Sequence, residues 1–529
     1  MSRKFWENQN IAKLLLIIAF AYIVIAGLIL INSYQGDPSI YFIYAKNIAH
    51  FDFFSYNPGE FSSGATSPLW ALILAPPFLF SNATLLVKIY CLLLTLLSFY
   101  IAYKSFLYAS NSKLGSAFGL AFLLYYALLP SLMCYETPLT IILISWLLIV
   151  NKKIILGNKK PGVLILLCIL WALIPLARPD AIAIIIIDAF MLTWFNWKNK
   201  KHRLLIPILF FSSLIPLAAY FAFSNAKTGM VSNSSYCRAF ALQETAKHFM
   251  GLSISVESIF TLISYPMLLF AIMIILQINN NYKFLRENLS KKNNLNSISQ
   301  NNFFAILAFL IAGAYFVSIT FISPVSDSVE RYIIPIIPFI IIAIAKQIEE
   351  LFATAKVNNW IMLTLFLILT FFAPYIKVSA YVAQQWSNHF DFDTIAEKNL
   401  IAYVNQIAEP NSTLLSYEVQ DRYYLRDDID LLSLDGITDG KVAPYLSTSK
   451  MDEFLKKYRP NYWLANDAVH YRPYLQKSIL KNVLDSLEYF NKDTIQISDV
   501  TFIRIYTNPA PKRNSFAHSN YLFKIRYEK

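Results

Sequence analysis

The sequence predicts a polytopic α-helical membrane protein with a soluble domain at its C-terminal end. Of its 529 residues, 56% are hydrophobic and only 15% are charged, whereas a soluble domain is about 45–50% apolar and about 25% charged. Long apolar runs fill the chain before residue 380, and the sequence after that point is polar and mixed. We therefore expect a membrane domain over residues 1–380 and a soluble domain over residues 381–529.

The net charge of +12 belongs to the membrane part. Residues 381–529 contain 18 lysines and arginines and 19 acidic residues, which leaves 27 basic and 14 acidic residues in 1–380. Such an excess is typical of cytoplasmic loops, because the positive-inside rule enriches them in lysine and arginine. The charge distribution argues against a nucleic-acid-binding protein. The composition excludes a disordered chain and a disulfide-stapled secreted scaffold.

Eleven apolar runs predict about eleven transmembrane helices. The first, from Ile11 to Ile31, is longer than the core of a signal peptide and is expected to remain uncleaved. The additional run 68–81 is about half the roughly 20 residues that a spanning helix needs and contains three prolines. It is expected to be re-entrant or to lie along the membrane; if it crosses, one other run does not. The remaining runs are 84–107, 114–132, 138–150, 161–177, 180–195, 203–224, 258–278, 303–323, 332–348 and 358–380.

Three lysine- and arginine-rich segments set the predicted orientation. Residues 151–160, 198–203 and 279–300 should be cytoplasmic. Alternation from these points places the N-terminus in the cytoplasm, and the first loop (33–67) and the C-terminal domain on the other side. Turn signals and short apolar runs after residue 380 predict an α/β or α+β fold for that domain.

Charged residues collect in the connections that are expected on the outer face. A charged group in or beside a bilayer is costly, so each one is a candidate for function. Acids and arginines from several helices would suit a site for an anionic, lipid-linked group. These residues are Asp37, Lys46 and Glu60 in the first loop and Glu136, Arg178, Asp180, Arg238, Asp327, Glu330 and Arg331 in later ones.

The first loop contains the most specific pattern. Asp37 follows the first helix, and after it come Tyr44-Ala45-Lys46-Asn47, Tyr56-Asn57-Pro58-Gly59-Glu60 and Gly64-Ala65-Thr66-Ser67-Pro68-Leu69-Trp70. This pattern resembles the first extracytoplasmic loop of GT-C-type membrane glycosyltransferases, in particular the mycobacterial arabinofuranosyltransferases and their bacterial relatives. Later stretches are similar in order: CYETPL (134–139), ARPD (177–180), TGMVSNSSYCRAF (228–240), ERYIIPIIP (330–338) and DIDLLSLDGITD (428–439).

The resemblance implies a GT-C fold and a polyprenyl-phosphate sugar donor. The reaction would be an inverting transfer to a hydroxyl of a glycan, lipid or protein at the outer face of the bacterial inner membrane. Asp37 would be the catalytic base, because the acceptor hydroxyl must lose its proton. Arg331, Arg238 and Lys46 would bind the donor phosphate. Substrate contacts are implied for Glu60, Glu136, Tyr44, Arg178, Asp180 and Glu330. No metal-ligand spacing is visible in the sequence, so no metal or other cofactor is expected.

Several candidates also have a structural interpretation. Glu60 could shape a turn, Glu136 could favour a helix dipole, and Arg178 could form a local ion pair with Asp180. Tyr44 could belong to an aromatic belt at the membrane surface.

Two other functions remain open. A transporter or flippase of a lipid-linked sugar would use Asp188, the acid deep in an apolar run. An inactive scaffold is the third possibility, because Gly36 stands where many relatives have the first acid of a pair.

Overall fold

The computed structural model divides into two compact units, each built from separate stretches of chain. The first unit comprises Met1–Asn32, Leu85–Ala218 and Leu242–Ser379, and the second comprises Ser33–Thr84, Ala219–Ala241 and Ala380–Lys529. The predicted division into 1–380 and 381–529 stays a prediction. The structure describes residues 9–31, 36–110, 113–232, 300–317, 329–343, 375–376, 378–381, 392–434, 436, 438–445, 450–465, 478–490, 492–508 and 520–528.

The first unit is helical in its described part. Two of its helices begin with a proline in the first turn, Pro138 and Pro161. Proline is favoured there because the N–H that it lacks would have no partner within the helix. The helices are Gln9–Ile29, Ala83–Ser110, Lys113–Leu132, Thr137–Ile155, Pro161–Ala177, Ile182–Phe195, Lys200–Ser213, Gln300–Val317 and Val329–Ile333.

Four described stretches are long and apolar enough to cross a membrane, namely Ala83–Ser110, Gly115–Leu132, Thr137–Ile155 and Lys200–Thr228. Shorter apolar helices are Leu16–Ile29, Pro68–Leu79, Pro161–Ala177, Phe303–Tyr315 and Arg331–Ala343. The predicted run 258–278, most of the run 358–380 and nearly all of the linker 279–300 lie outside the described residues. The number of about eleven crossings therefore stays a prediction.

The ambiguous run 68–81 forms a short helix, Pro68–Leu74, followed by a 3-10 turn, Pro76–Leu79. Ser67 caps the helix by accepting a hydrogen bond from the Trp70 N–H. The twelve residues Pro68–Leu79 would extend about 18 Å as a helix, well short of the roughly 30 Å hydrocarbon core. This pair of helices is too short to cross a membrane by itself.

A close helix–helix contact fixes the helix that carries Arg331. A Cβ added to Gly119 would lie 2.3 Å from Cγ2 of Ile341. Only glycine therefore allows the helix Lys113–Leu132 to approach residues 331–343 this closely. This contact places Arg331 at the start of a well-packed helix.

The second unit contains a six-stranded mixed sheet. Its order is β2-β1-β3-β6-β5-β4, with β1 parallel to β2 and β3 and the remaining pairs antiparallel. The strands are β1 Thr413–Ser416, β2 Asp430–Ser433, β3 Tyr462–Ala465, β4 Thr494–Ile497, β5 Val500–Asn508 and β6 Asn520–Tyr527. The helices of the C-terminal segment are Phe392–Ile407, Met451–Tyr458 and Ile479–Phe490.

Alternate residues of the strands build a core on each face of this sheet. Leu415, for example, lies in the core that contains Phe454 and Val483. Leu414, its neighbour, lies in a core shared with Leu400 and with Tyr44 of the first loop. The helix Gly36–Ala49 is thus part of the same folded unit as the C-terminal sheet.

The side chain of Asn57 completes the free edge of β2. Its Nδ2 donates to the Leu431 carbonyl at 3.0 Å, and its Oδ1 accepts from the Leu431 N–H at 2.9 Å. Tyr56 adds a bond from its hydroxyl to the Val419 carbonyl at 2.6 Å. One amide side chain therefore occupies the hydrogen-bonding groups that an edge strand otherwise exposes.

Replacing Asn57 with alanine is expected to destabilise the second unit by about 2–4 kcal/mol, because both backbone groups of Leu431 lose their partner. Asn57→Asp should also destabilise the unit, since its carboxylate would face the Leu431 carbonyl and the Glu60 carboxylate, to which Asn57 now donates. Thermal unfolding of the purified full chain measures both. The control is Asn482→Ala, at an exposed helical position. Equal midpoints for Asn57→Ala and the control would contradict the role of the amide.

Candidate functional site

Three connections of the first unit bring charged side chains into one buried cluster. Glu136 directly precedes the helix Thr137–Ile155, and Arg178 directly follows the helix Pro161–Ala177. Asp180 lies in the 3-10 turn after Arg178, and Arg331 lies in the helix Val329–Ile333. All four residues are candidates from the sequence, and the structure brings them together.

Arg178 is the centre of this cluster. Its Nη1 donates to Glu136 Oε1 at 3.1 Å and to the Arg331 carbonyl at 3.3 Å. Its Nε and Nη2 donate to the two carboxylate oxygens of Asp180 at 3.2 and 3.0 Å. The fork geometry of guanidinium allows this simultaneous use of all three nitrogens. Arg178 therefore ties three connections of the unit together.

The cluster is withdrawn from water, and its charges are maintained by one another. The side chains of Arg178 and Glu136 are each only 4% exposed. Burial alone would lower the pKa of the Arg178 guanidinium. The nearby Asp180, Tyr315 and Glu136 raise it by a larger amount, so the pKa lies above its usual value. Arg178 therefore stays charged. Removing it would leave its carboxylate partners without their cation, which would cost free energy of folding.

Tyr315 is a member of the cluster that the sequence did not reveal. It is fully buried, and its hydroxyl donates to Oδ2 of Asp180. It lies in the helix Gln300–Val317, within an otherwise apolar run. A single tyrosine in such a run gives no periodic signal. Its role follows only from the packing of that helix beside Asp180.

Aromatic rings surround the two arginines. The Arg331 guanidinium lies 4.5 Å from the ring centroid of Tyr135 and 5.3 Å from that of Tyr332. The Arg178 guanidinium lies 4.9 Å from the same Tyr332 ring centroid. A cation over an aromatic face is stabilised without losing its charge. These tyrosines pack against both guanidinium groups and help to fix their positions.

Lys88 adds a third cation beside the segment 134–136. It is 4% exposed, on the helix Ala83–Ser110. The pKa of the Cys134 thiol is lowered overall. Burial alone would raise this pKa, but the hydrogen bond with Cys91 and the positive charge of Lys88 together lower it by more. Lys88 thus acts electrostatically on the segment that carries Glu136.

Three other candidates lie in the second unit, and each has a partner there. Lys46 pairs with Asp427 at 3.0 Å, and Glu60 pairs with Lys441 at 2.5 Å. The buried Tyr44 hydroxyl donates to Ser62 Oγ at 2.9 Å. The ion pairs of Lys46 and Glu60 join the first loop to the C-terminal domain, and the hydrogen bond of Tyr44 lies within the loop. Their predicted contacts with a phosphate or substrate stay predictions.

The remaining candidates lie partly or wholly outside the described residues. Arg238 and Asp327 lie outside them. Asp37 belongs to the helix Gly36–Ala49 and Glu330 to the helix Val329–Ile333, but the side chains of both lie outside the described part. Among the described residues, no group of three or more His, Cys, Asp or Glu side chains is suited to a metal ion. Metal independence stays a prediction.

Two buried acids in the second unit predict a pH-dependent stability. Burial raises the pKa of Asp421 to about 8 and that of Asp439 to about 7. An unfolded aspartate has a pKa of about 3.9. The folded state therefore holds protons that the unfolded state releases, and these two groups make the unfolding free energy fall as pH rises from about 4 to about 8.

The expected slope is about 1.4 kcal/mol per pH unit for each carboxyl within its own window. Thermal unfolding of the full chain at pH 5, 6, 7 and 8 measures it against Asp421→Asn and Asp439→Asn. Each variant should lose stability less steeply with rising pH than the unchanged chain. Parallel curves would show that these acids are not protonated in the fold.

The fold is similar to that of solved glycosyltransferase structures. Two structures of ArnT from Cupriavidus metallidurans match at a TM-score of 0.50 each. The first, bound to undecaprenyl phosphate, is 11% identical and covers 96% of this chain and 97% of its own. The second, in the apo state, is 12% identical, with 95% and 97% covered. This chain has a GT-C-type fold.

A third GT-C-type structure is more distant. The Archaeoglobus fulgidus oligosaccharyltransferase in complex with Zn and sulfate matches at a TM-score of 0.47 and 12% identity, over 88% of this chain and 70% of its own. No protein-family model and no curated protein sequence matches the chain.

The GT-C-type fold confirms the predicted fold class: apolar membrane helices followed by a C-terminal domain with a sheet. The sequence singled out Glu136, Arg178, Asp180 and Arg331 because they are charged residues at the ends of apolar runs, and their roles at a site stay predictions. It missed Lys88, since one lysine near the start of a long apolar helix resembles an interfacial anchor. In this GT-C-type chain that lysine is buried.

Proposed function

We propose that the chain transfers a sugar, with inversion, from a polyprenyl-phosphate donor to a hydroxyl of a glycan, lipid or protein. The observation that carries this proposal is the likeness over nearly the whole chain to ArnT, solved with undecaprenyl phosphate. The reaction would take place at the outer face of a bacterial inner membrane. The N-terminus would lie in the cytoplasm and the C-terminal domain outside.

The cluster around Arg178 and Arg331 would suit the phosphate of such a donor. Polyprenyl phosphate is the leaving group, and it needs positive charge more than it needs a proton donor. Arg331 is the principal candidate, because a guanidinium forks onto phosphate oxygens and the rings of Tyr135 and Tyr332 fix this one in position.

Arg178 has a different role in this proposal. Glu136 and Asp180 occupy its donors, so its charge is already paired. It would position Arg331 through the hydrogen bond to the Arg331 carbonyl. Arg238 and Lys46 remain further candidates for donor binding.

Asp37 is proposed as the catalytic base. The acceptor hydroxyl is a poor nucleophile, and a carboxylate must take its proton as the bond to the anomeric carbon forms. Asp37 lies in the first turn of the helix Gly36–Ala49, whose later residues pack into the sheet core. That packing gives the base a rigid support, which a catalytic group needs.

The transporter alternative would use Asp188. This residue is fully buried, and its two carboxylate oxygens accept hydrogen bonds from Asn151 Nδ2 at 2.6 Å and Trp171 Nε1 at 2.8 Å. An acid with such partners has a structural role in helix packing, so the glycosyltransferase is the function that we propose.

A reconstitution experiment tests the proposal. Purified protein in liposomes would receive radiolabelled undecaprenyl-phosphate sugars and a panel of glycan, lipid and peptide acceptors. We expect label to appear in an acceptor. Movement of the lipid-linked sugar between leaflets without transfer would support a flippase, and neither activity would support a scaffold. Either of these outcomes would overturn the proposed reaction.

A further inference from the structure

The turn after the helix Gly36–Ala49 exposes two phenylalanines on an unusual backbone. Phe51 is 83% exposed and Phe53 is 53% exposed. Phe51 has a φ of 65° and Phe54 a φ of 58°. Left-handed backbone is rare for a bulky residue, and it persists only where the surrounding structure enforces it. The fold therefore maintains a strained turn that presents large apolar side chains.

A hydrogen-bond network enforces this turn. The side chain of Asn47 donates to the Ser55 and Tyr56 carbonyls at 2.8 and 3.2 Å, and its backbone carbonyl accepts from the Asp52 N–H at 2.9 Å. The Asp52 carboxylate accepts from the Gly59 N–H at 2.7 Å and from the Ser55 hydroxyl. The turn is thus fixed from both sides, and the exposed rings are held in place rather than left in a loose loop.

The residues next to this turn pack on the end of an apolar helical stretch. Phe54 contacts Tyr220 edge-on at 5.6 Å, and Phe61 contacts Phe223 at 5.1 Å. Tyr220 and Phe223 belong to Lys200–Thr228, a 29-residue stretch long enough to cross a membrane and little buried by protein. A stretch of this length and composition can span a bilayer, and spanning would place its exposed apolar side chains against lipid.

The end of that stretch has the composition of a membrane–water interface. Lys227 lies 5.7 Å from the Phe223 ring, in the last turn of the helix Ile215–Thr228. A lysine beside aromatic rings at a helix end is typical of the head-group level. The turn that carries Phe51 and Phe53 is attached to this level through Phe54 and Phe61.

We propose that Phe51 and Phe53 insert into the interfacial layer of the bilayer and anchor the second unit to it. The occupant of this surface is lipid, because the apolar surface continues from a little-buried apolar stretch that is long enough to span a bilayer. Insertion removes two exposed rings from water. It also gives the strained turn a function that a water-exposed turn would not have. The proposal does not depend on the reaction that the protein catalyses.

Site-directed spin labelling of the full chain tests this anchor. The labels would be placed at Phe51→Cys and, separately, at Phe53→Cys, with Thr494→Cys on the exposed edge strand β4 as matched control. Cys168 and Cys237 would be changed to serine, and Cys91 and Cys134 are buried. The protein would be reconstituted in phosphatidylethanolamine/phosphatidylglycerol vesicles.

Power saturation then compares collisions with oxygen, which concentrates in lipid, and with a nickel chelate, which stays in water. At positions 51 and 53 we expect oxygen accessibility to exceed nickel accessibility several-fold, and at 494 the reverse. Nickel accessibility at 51 and 53 equal to that at 494 would overturn the proposal. Labels reached by neither reagent would also overturn it, since a protein partner or a second copy would then cover the turn. Phe53→Cys avoids the strained positions, so it remains informative if the Phe51 variant misfolds.

Discussion

Replacing Arg178 with methionine is expected to lower the unfolding free energy by about 3–5 kcal/mol, because it leaves the buried Glu136 and the half-buried Asp180 without the cation that binds both. The three connections that Arg178 joins would separate, and the carbonyl of Arg331 would lose its donor. Unfolding of the purified protein in detergent, followed by denaturant or heat, measures the loss. This is the largest effect on stability that we expect from one substitution.

Two further variants interpret the result. Arg178→Lys keeps the charge but cannot fork onto Asp180 while binding Glu136, so its loss should be intermediate. Arg526→Met removes an exposed arginine of β6 and should change stability by less than about 0.5 kcal/mol. If Arg178→Met behaved like Arg526→Met, Arg178 would not be the centre of a buried ionic cluster.

Replacing Asp37 with asparagine is expected to reduce sugar transfer by about 10²–10⁴-fold, the usual contribution of a general base. Asparagine has nearly the same shape but cannot accept the proton of the acceptor hydroxyl. Folding and donor binding should be nearly unchanged, because the substitution removes a proton acceptor and not a phosphate ligand. Initial rates in the liposome assay and binding of a non-transferable donor analogue give the two quantities.

The matched control for Asp37→Asn is Asp493→Asn, at an acid that is 76% exposed in the C-terminal sheet domain. This control should transfer sugar at the original rate. Retained turnover in Asp37→Asn would remove Asp37 as the base. A parallel loss of donor binding would instead assign it to substrate positioning.

The fold class could be predicted from the sequence because a membrane helix requires an apolar run of many residues, and such a run is visible without knowledge of the packing. The order of the strands could not, since β1, β2 and β3 have only four residues each and their pairing depends on contacts far apart in the chain. The parallel pairing of β1 with both β2 and β3 leaves no local signal. A short apolar run fits a helix segment or a buried strand equally well.

Contacts within the candidate site could be predicted from the sequence only where residues of opposite charge are also neighbours in the chain. Arg178 and Asp180 are neighbours around Pro179, so their ion pair is local and predictable. The contact of Arg178 with Glu136 joins residues 42 positions apart, and it becomes visible only once the helices are packed. Asn57 is the opposite case. Its place in Tyr-Asn-Pro-Gly-Glu suggests a functional loop, but its amide is used to complete a strand edge.

The hydrogen bonds between Asn57 and Leu431 also affect when the first loop can finish folding during synthesis. The two residues are 374 positions apart, and synthesis proceeds at about 5–20 residues per second. The first loop therefore waits roughly 20–75 seconds for the strand that it completes. During that interval the polar groups of the loop must be satisfied by water or by a chaperone. A ribosome that stalls between the two residues leaves a loop that cannot mature, whatever the state of the helices already made.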